Sequence, residues 1–120
     1  MKHQSFRLVH ANTGAQIAGA AIKAHTLFAR MKGLIGRPSM TPGEALWLEP
    51  CNGIHTFGMR FPLDVITLDR TRRVVRLDRA VHPNRILLPA RHGHITIEVP
   101  EGTIDRYALH VGDRIELMPV

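Results

Sequence analysis

Short apolar runs broken at close intervals by turn residues limit this 120-residue chain more than any other feature. "PLDVITLD" (62–69) reads as a strand apolar on both faces, and "RVVRLD" (73–78) returns from it across the basic turn "RTR". "SFRLVHANTGAQIAGAAIKA" (5–24) reads as two strands about an Asn-Thr-Gly turn in which Gly14 supplies a positive φ. "ALWLE" (45–49) and "RIELM" (114–118) are further strands. "ILLPA", "RHG" and "HITIEVP" (86–100) read as a hairpin, with Pro89 placing its first arm at a sheet edge. Strands of this length with frequent turns predict a mostly β, compact barrel or sandwich-like single domain spanning 1–120, with one or two short helices.

Two segments supply the helices. "HTLFARMKGLIGR" (25–37) carries Leu27, Met31 and Leu34 at helical spacing, with Thr26 as N-cap and Gly36-Arg37-Pro38 as its stop. In "EGTIDRYALHVGD" (101–113) Thr103 can cap one turn or two. The chain is long enough to bury a core without staples. Its one cysteine excludes an internal disulfide, so nothing calls for an oxidising compartment. No run reaches the ~18 apolar residues of a membrane span. "AQIAGAAIKA" is interrupted as a signal segment by His10, Asn12, Gln16 and Lys23. A cytoplasmic protein is the default expectation.

The stretch "PCNGIHTFGMRFPLD" (50–64) concentrates the chemistry. Cys51, His55 and Met59 are soft-metal ligand types. Residues four apart on an extended strand stand about 13 Å from each other, too far to share an ion. Gly53, Thr56, Gly58 and the flanking Pro50 and Pro62 argue against the helix that would bring them together. No metal and no cofactor are therefore expected. Cys51 with His55 could be a thiol–imidazole pair, but nothing in the spacing fixes that geometry, and a buried structural thiol is the simpler reading. Asp64 shares a face with Ile66 and Leu68, so its carboxylate must be paired or hydrogen-bonded. Arg30, Arg37 and Arg60 are candidate partners.

The net charge of +6 suits anionic partners. The arginines at 70, 72, 73, 76 and 79 could grip phosphates, but Asp69 and Asp78 blunt the cluster and there is little aromatic interleaving, so nucleic-acid binding ranks low. His92-Gly93-His94 is expected to sit solvated on a hairpin tip. No P-loop, dinucleotide fingerprint, HExxH or nucleophile elbow is present.

Taken together, "RMKGLIGR" (30–37), "GEALWLEPCNGIHTFGMRFPLDVITLD" (43–69) and "IEVPEGTIDRYALHVGD" (97–113) resemble the DUF192 (UPF0127) family of small domains of unknown function over nearly the whole chain. The resemblance implies a mostly β fold and no established activity, cofactor or catalytic residue. Many members look exported, and those with the His-Thr-Phe-Gly-Met form resemble companions of pilus or secretion machinery. The leading expectation is a non-enzymatic binding or accessory domain, possessing a surface made by Arg30, Arg37, His55, Thr56, Met59, Arg60 and Asp64. That surface would hold an anionic small molecule or a protein partner, with Trp47, Phe57 and Phe61 adding apolar contact. The alternatives are a small enzyme using Asp64 with His55 or Cys51, and a basic nucleic-acid-binding module.

Overall fold

The computed structural model describes residues 5–24, 34 and 36–120. Strands β1 (Phe6–His10), β2 (Gln16–Ala24), β3 (Glu44–Leu48), β5 (Leu63–Leu68), β6 (Val74–Val81), β8 (Ile95–Pro100) and β9 (Ile115–Pro119) make one seven-stranded sheet in the order β6-β5-β8-β3-β2-β1-β9. β2 and β3 pair in parallel and every other neighbour is antiparallel. The sheet curls into a half-barrel whose ends meet at one corner. There Arg73 bridges Arg114, and the Val74 amide donates to the Asp113 carbonyl at 2.8 Å. Strands β4 (Ile54–His55) and β7 (Ile86–Leu87) form a separate antiparallel pair. A four-residue helix, α1, runs Thr103–Arg106. The mostly β expectation holds.

Period-two alternation distributes the side chains to two cores. Leu8, Trp47, Ile66, Leu68, Ile97 and Ile104 fill the inside of the curl. Leu46, Leu48, Leu63, Val65, Met59 and Phe61 pack on its outside with Leu34 and Met40. β5 is buried at all six positions, as a strand apolar on both faces requires.

Several expectations need correction. The segment 86–100 is not a hairpin, because β7 pairs with β4 while β8 lies between β5 and β3. β6 runs on to Val81, past the expected end at 78. A bulge, seen as the register shift between Leu63 opposite Val81 and Val65 opposite Asp78, lets it continue. Residues 50–64 are not extended throughout, since only Ile54–His55 is strand before β5. Gly53 (φ +88°) and Gly58 (φ +83°) bend the chain on either side, and a turn closes from the Met59 amide to the Thr56 carbonyl. The strand-based separations for Cys51, His55 and Met59 therefore do not apply. The 25–37 helix and Arg30 lie outside the described residues, apart from Leu34, Gly36 and Arg37.

Candidate functional site

Asp64 is 1% exposed, and backbone amides occupy its carboxylate. Oδ1 accepts from Ala80 N–H at 2.9 Å. Oδ2 accepts from Gly102 N–H at 3.1 Å and Ile104 N–H at 3.0 Å. Ala80 sits in the β6 bulge with φ +48°, where its amide has left the ladder. The other two amides belong to the first turn of α1, whose N-cap Gly102 makes no side-chain cap. Thr103, the expected cap, instead donates its hydroxyl to the Pro100 carbonyl at 2.6 Å. A carboxylate from a distant strand thus caps the helix and pins the bulge. Among the described residues, neither His55, Cys51 nor an arginine is one of its partners.

Arg37, the other expected partner of Asp64, forks onto Glu44 instead, with contacts of 2.7 and 3.0 Å. Glu44 also accepts from the amide and hydroxyl of Thr41. The Arg37 hydrogen bond, helped by Thr41 and opposed by burial, draws the Glu44 carboxyl down to about 2. The same bond raises the Arg37 guanidinium. This cluster fixes the entry to β3.

Residues 50–55, 57 and 86–89, together with Ala24 and Leu48, line a groove of about 460 Å³. Its size suits an organic ligand or a few side chains of a peptide. Three devices hold it open. Asn52 clasps Ala90 through both its amide atoms at 2.8 Å. The Thr56 amide donates to the Arg85 carbonyl at 2.9 Å, and the Thr56 hydroxyl donates to the His82 carbonyl at 2.7 Å. Gly53 lets the strands approach, because a β-carbon there would stand 3.0 Å from the Leu87 carbonyl and the Pro89 nitrogen. The Cys51 amide donates to the His94 carbonyl at 2.8 Å, which ties the wall to β8. Large apolar side chains stand exposed around the groove: Phe57 at 46%, Ile86 at 64% and Leu88 at 72%.

The expected site residues divide accordingly. His55 and Cys51 line the groove, and the His55 and Phe57 rings lie 5.1 Å apart. Thr56 is buried and serves the loop, and Met59 is buried in the outer core. Arg60 is exposed and reaches the Gly36 carbonyl at 3.4 Å. Of the aromatic residues expected to contact a ligand, Phe57 is exposed, whereas Trp47 (1%) and Phe61 (8%) are packed inside. The groove residues 86–89 and the clasp Asn52 carried no signal beyond an apolar run and a turn. Among the described residues no group of three or more His, Cys, Asp or Glu side chains gathers as a metal site. Nor, among them, is any helix long and apolar enough to cross a membrane.

His94 is half-buried, with its Nε2 3.8 Å from a Glu49 carboxylate oxygen, while His92 is exposed in the turn. Within the arginine cluster, Arg72 pairs with Glu116 at 2.6 Å, Arg76 with Asp78 at 2.8 Å and Arg79 with Asp105 at 2.8 Å. Those guanidiniums are already engaged with carboxylates.

A curled, mostly β domain with an apolar groove at the rim of its outer core is the class these features define. The chain belongs to the DUF192 family, whose model, described as an uncharacterized ACR, matches residues 9–117. It is similar to a UPF0127 protein of Thermococcus sibiricus, at 34% identity over 113 residues, covering 91% of this chain and 73% of that protein. It is also similar to a UPF0127 protein of Pyrococcus furiosus, at 36% identity over 63 residues, covering 52% of this chain and 53% of that one. A crystal structure of a protein of unknown function from Novosphingobium aromaticivorans shares the fold, with a TM-score of 0.72 at 23% identity, covering 92% of this chain and 91% of that one. So does a candidate transcription regulator of Sinorhizobium meliloti, with a TM-score of 0.78 at 20% identity, covering 97% and 94%. At those identities the likeness concerns the fold alone.

Proposed function

We propose that this chain is a non-enzymatic binding domain and that the groove between the 50–57 loop and β7 is its binding site. The observation that carries the reading is a cavity of about 460 Å³ walled by Leu48, Pro50, Ile54, Leu87 and Pro89, with Phe57, Ile86 and Leu88 left exposed at its mouth. Exposed apolar side chains gathered around a concavity mark recognition surfaces. Of the expected site residues His55 and Cys51 belong to this groove, and Arg60 stands exposed in the same loop region. Thr56, Met59 and Asp64 support the framework in this reading.

The enzymatic alternative gains no support from Asp64, whose carboxylate is occupied by three backbone amides. General acid–base work needs such a group within reach of substrate.

Titration with the uncharged fluorescent probe N-phenyl-1-naphthylamine tests the reading. Its emission should rise on binding, and amide resonances of residues 51–57 and 86–88 should shift together. No binding, or shifts scattered over the sheet, would refute it.

A further inference from the structure

Among the described residues, the outer edge of β7 has no hydrogen-bonding partner. In the β4–β7 pair, Ile54 lies opposite Leu87 and His55 opposite Ile86, and the next amide, Thr56 N–H, donates to the Arg85 carbonyl. Antiparallel ladders alternate, so Arg85 and Leu87 aim their backbone groups at β4, while Ile86 and Leu88 aim theirs away. Beyond the β4 ladder, no hydrogen bond from the described residues reaches those groups. The side chains of Ile86 and Leu88 are the exposed ones at the mouth of the groove. An open edge beside an apolar groove is the geometry by which sheets accept an added strand.

Charge narrows the partner further. The two segments that build the site, 50–62 and 82–94, contain no aspartate or glutamate. They carry Arg60, Arg85 and Arg91 and the histidines at 55, 82, 92 and 94. Arg85, Arg91, His82 and His92 are exposed. An occupant flanked by carboxylates meets a rim rich in arginine and histidine, with Glu49 beside His94 as a carboxylate next to it.

We propose that the groove takes an extended peptide segment, apolar at alternate positions and acidic at its flanks, which adds a third strand along the outer edge of β7. The proposal rests on the binding reading above and names its partner. Main-chain bonds to Ile86 and Leu88 align the peptide, alternate side chains enter the groove, and its flanking carboxylates face Arg85 and Arg91.

The test is selection of a displayed library of random twelve-residue peptides on the intact chain, followed by affinity measurement of an enriched peptide. Alternating apolar sequences with acidic flanks should emerge. Methylating alternate amide nitrogens of that peptide should weaken binding by about tenfold or more, because the edge bonds are lost. The double substitution Ile86→Ser with Leu88→Ser should do the same, as should Arg85→Glu with Arg91→Glu. All four side chains are exposed, and an unchanged thermal midpoint checks that each variant folds. Enrichment of no peptide, of peptides without acidic flanks, or of peptides insensitive to methylation or to these substitutions overturns the proposal. If the naphthylamine probe binds and no peptide does, the groove reading stands and the peptide inference falls; if the probe also fails, both fall. Sedimentation showing a dimer dispersed by the serine variant would make a second copy of this chain the occupant and likewise overturn it.

Discussion

Replacing Asp64 with alanine should unfold the chain more readily than almost any other single change to a polar residue. Its carboxylate accepts three amide hydrogen bonds at 2.9, 3.0 and 3.1 Å in a site 1% exposed. Hydrogen bonds to a charged group contribute about 1.5–3 kcal/mol each, and the stranded amides add a desolvation cost. The three share one side chain, so the terms do not simply add. A loss of about 4 kcal/mol is the working figure, set against about 5–15 kcal/mol for a domain of this size. Asparagine keeps one acceptor oxygen but turns an N–H₂ toward an amide donor, so Asp64→Asn should lose about half as much. Urea unfolding followed by fluorescence of the buried Trp47 measures both. With a slope of about 1.5 kcal/mol/M, the alanine variant's midpoint should fall by about 2–3 M. Hydrogen exchange should accelerate selectively at Ala80, Gly102 and Ile104. A loss under about 1 kcal/mol, or an equal loss without faster exchange at those amides, would refute the assignment of Asp64 as the tie between bulge and helix.

Other consequences are smaller or more local. Gly53→Ala should destabilise by about 2 kcal/mol or more, because φ is +88° and the new β-carbon meets the Leu87 carbonyl. Gly14→Ala, at φ +77° with open space around it, should cost about 1 kcal/mol, so equal thermal midpoints for the two would contradict the close approach of the groove walls. The Glu44 carboxyl titrates lower when folded than the ordinary 4.5, so its contribution is complete above pH 4.5 and disappears as pH falls toward about 2. Because Arg37 is 38% exposed, that contribution is about 1 kcal/mol at most. The stability difference between wild type and Glu44→Gln, measured by urea titration from pH 2 to 6, should grow across that window and be flat above it. Leu63→Ala, at a fully buried outer-core position, should cost about 3–4 kcal/mol by the same measurement.

What the sequence discloses follows the range of the physics involved. Alternation within one strand is local, so β1, β2, β3, β5 and β9 are legible from five to nine residues each. The burial of Asp64 is legible for the same reason, since Ile66 and Leu68 share its face. Its partners are not, because they lie 16, 38 and 40 residues away and are backbone amides that any sequence offers. An arginine looked the better match on charge alone, and Arg37 was taken by Glu44, seven residues along, through the geometry of the β3 entry. The hairpin over 86–100 fails for a related reason. "ILLPARHGHITIEVP" has the apolar runs and the turn that a hairpin needs, and local pattern cannot reveal that Asn52 reaches across 38 residues to clasp Ala90. That clasp draws Ile86–Leu87 onto Ile54–His55 and releases β8 to the main sheet. The groove exists because of this exchange of partners. Its walls come from segments with no shared periodicity, and the thiol, imidazole and thioether at 51, 55 and 59 were conspicuous by residue type. Where the structure sends them, two to the groove wall and one to the core, depends on Gly53 and Gly58 turning the backbone between them. The sequence showed those glycines as helix breakers; only the fold shows them as the corners of the loop that supplies one wall of the groove.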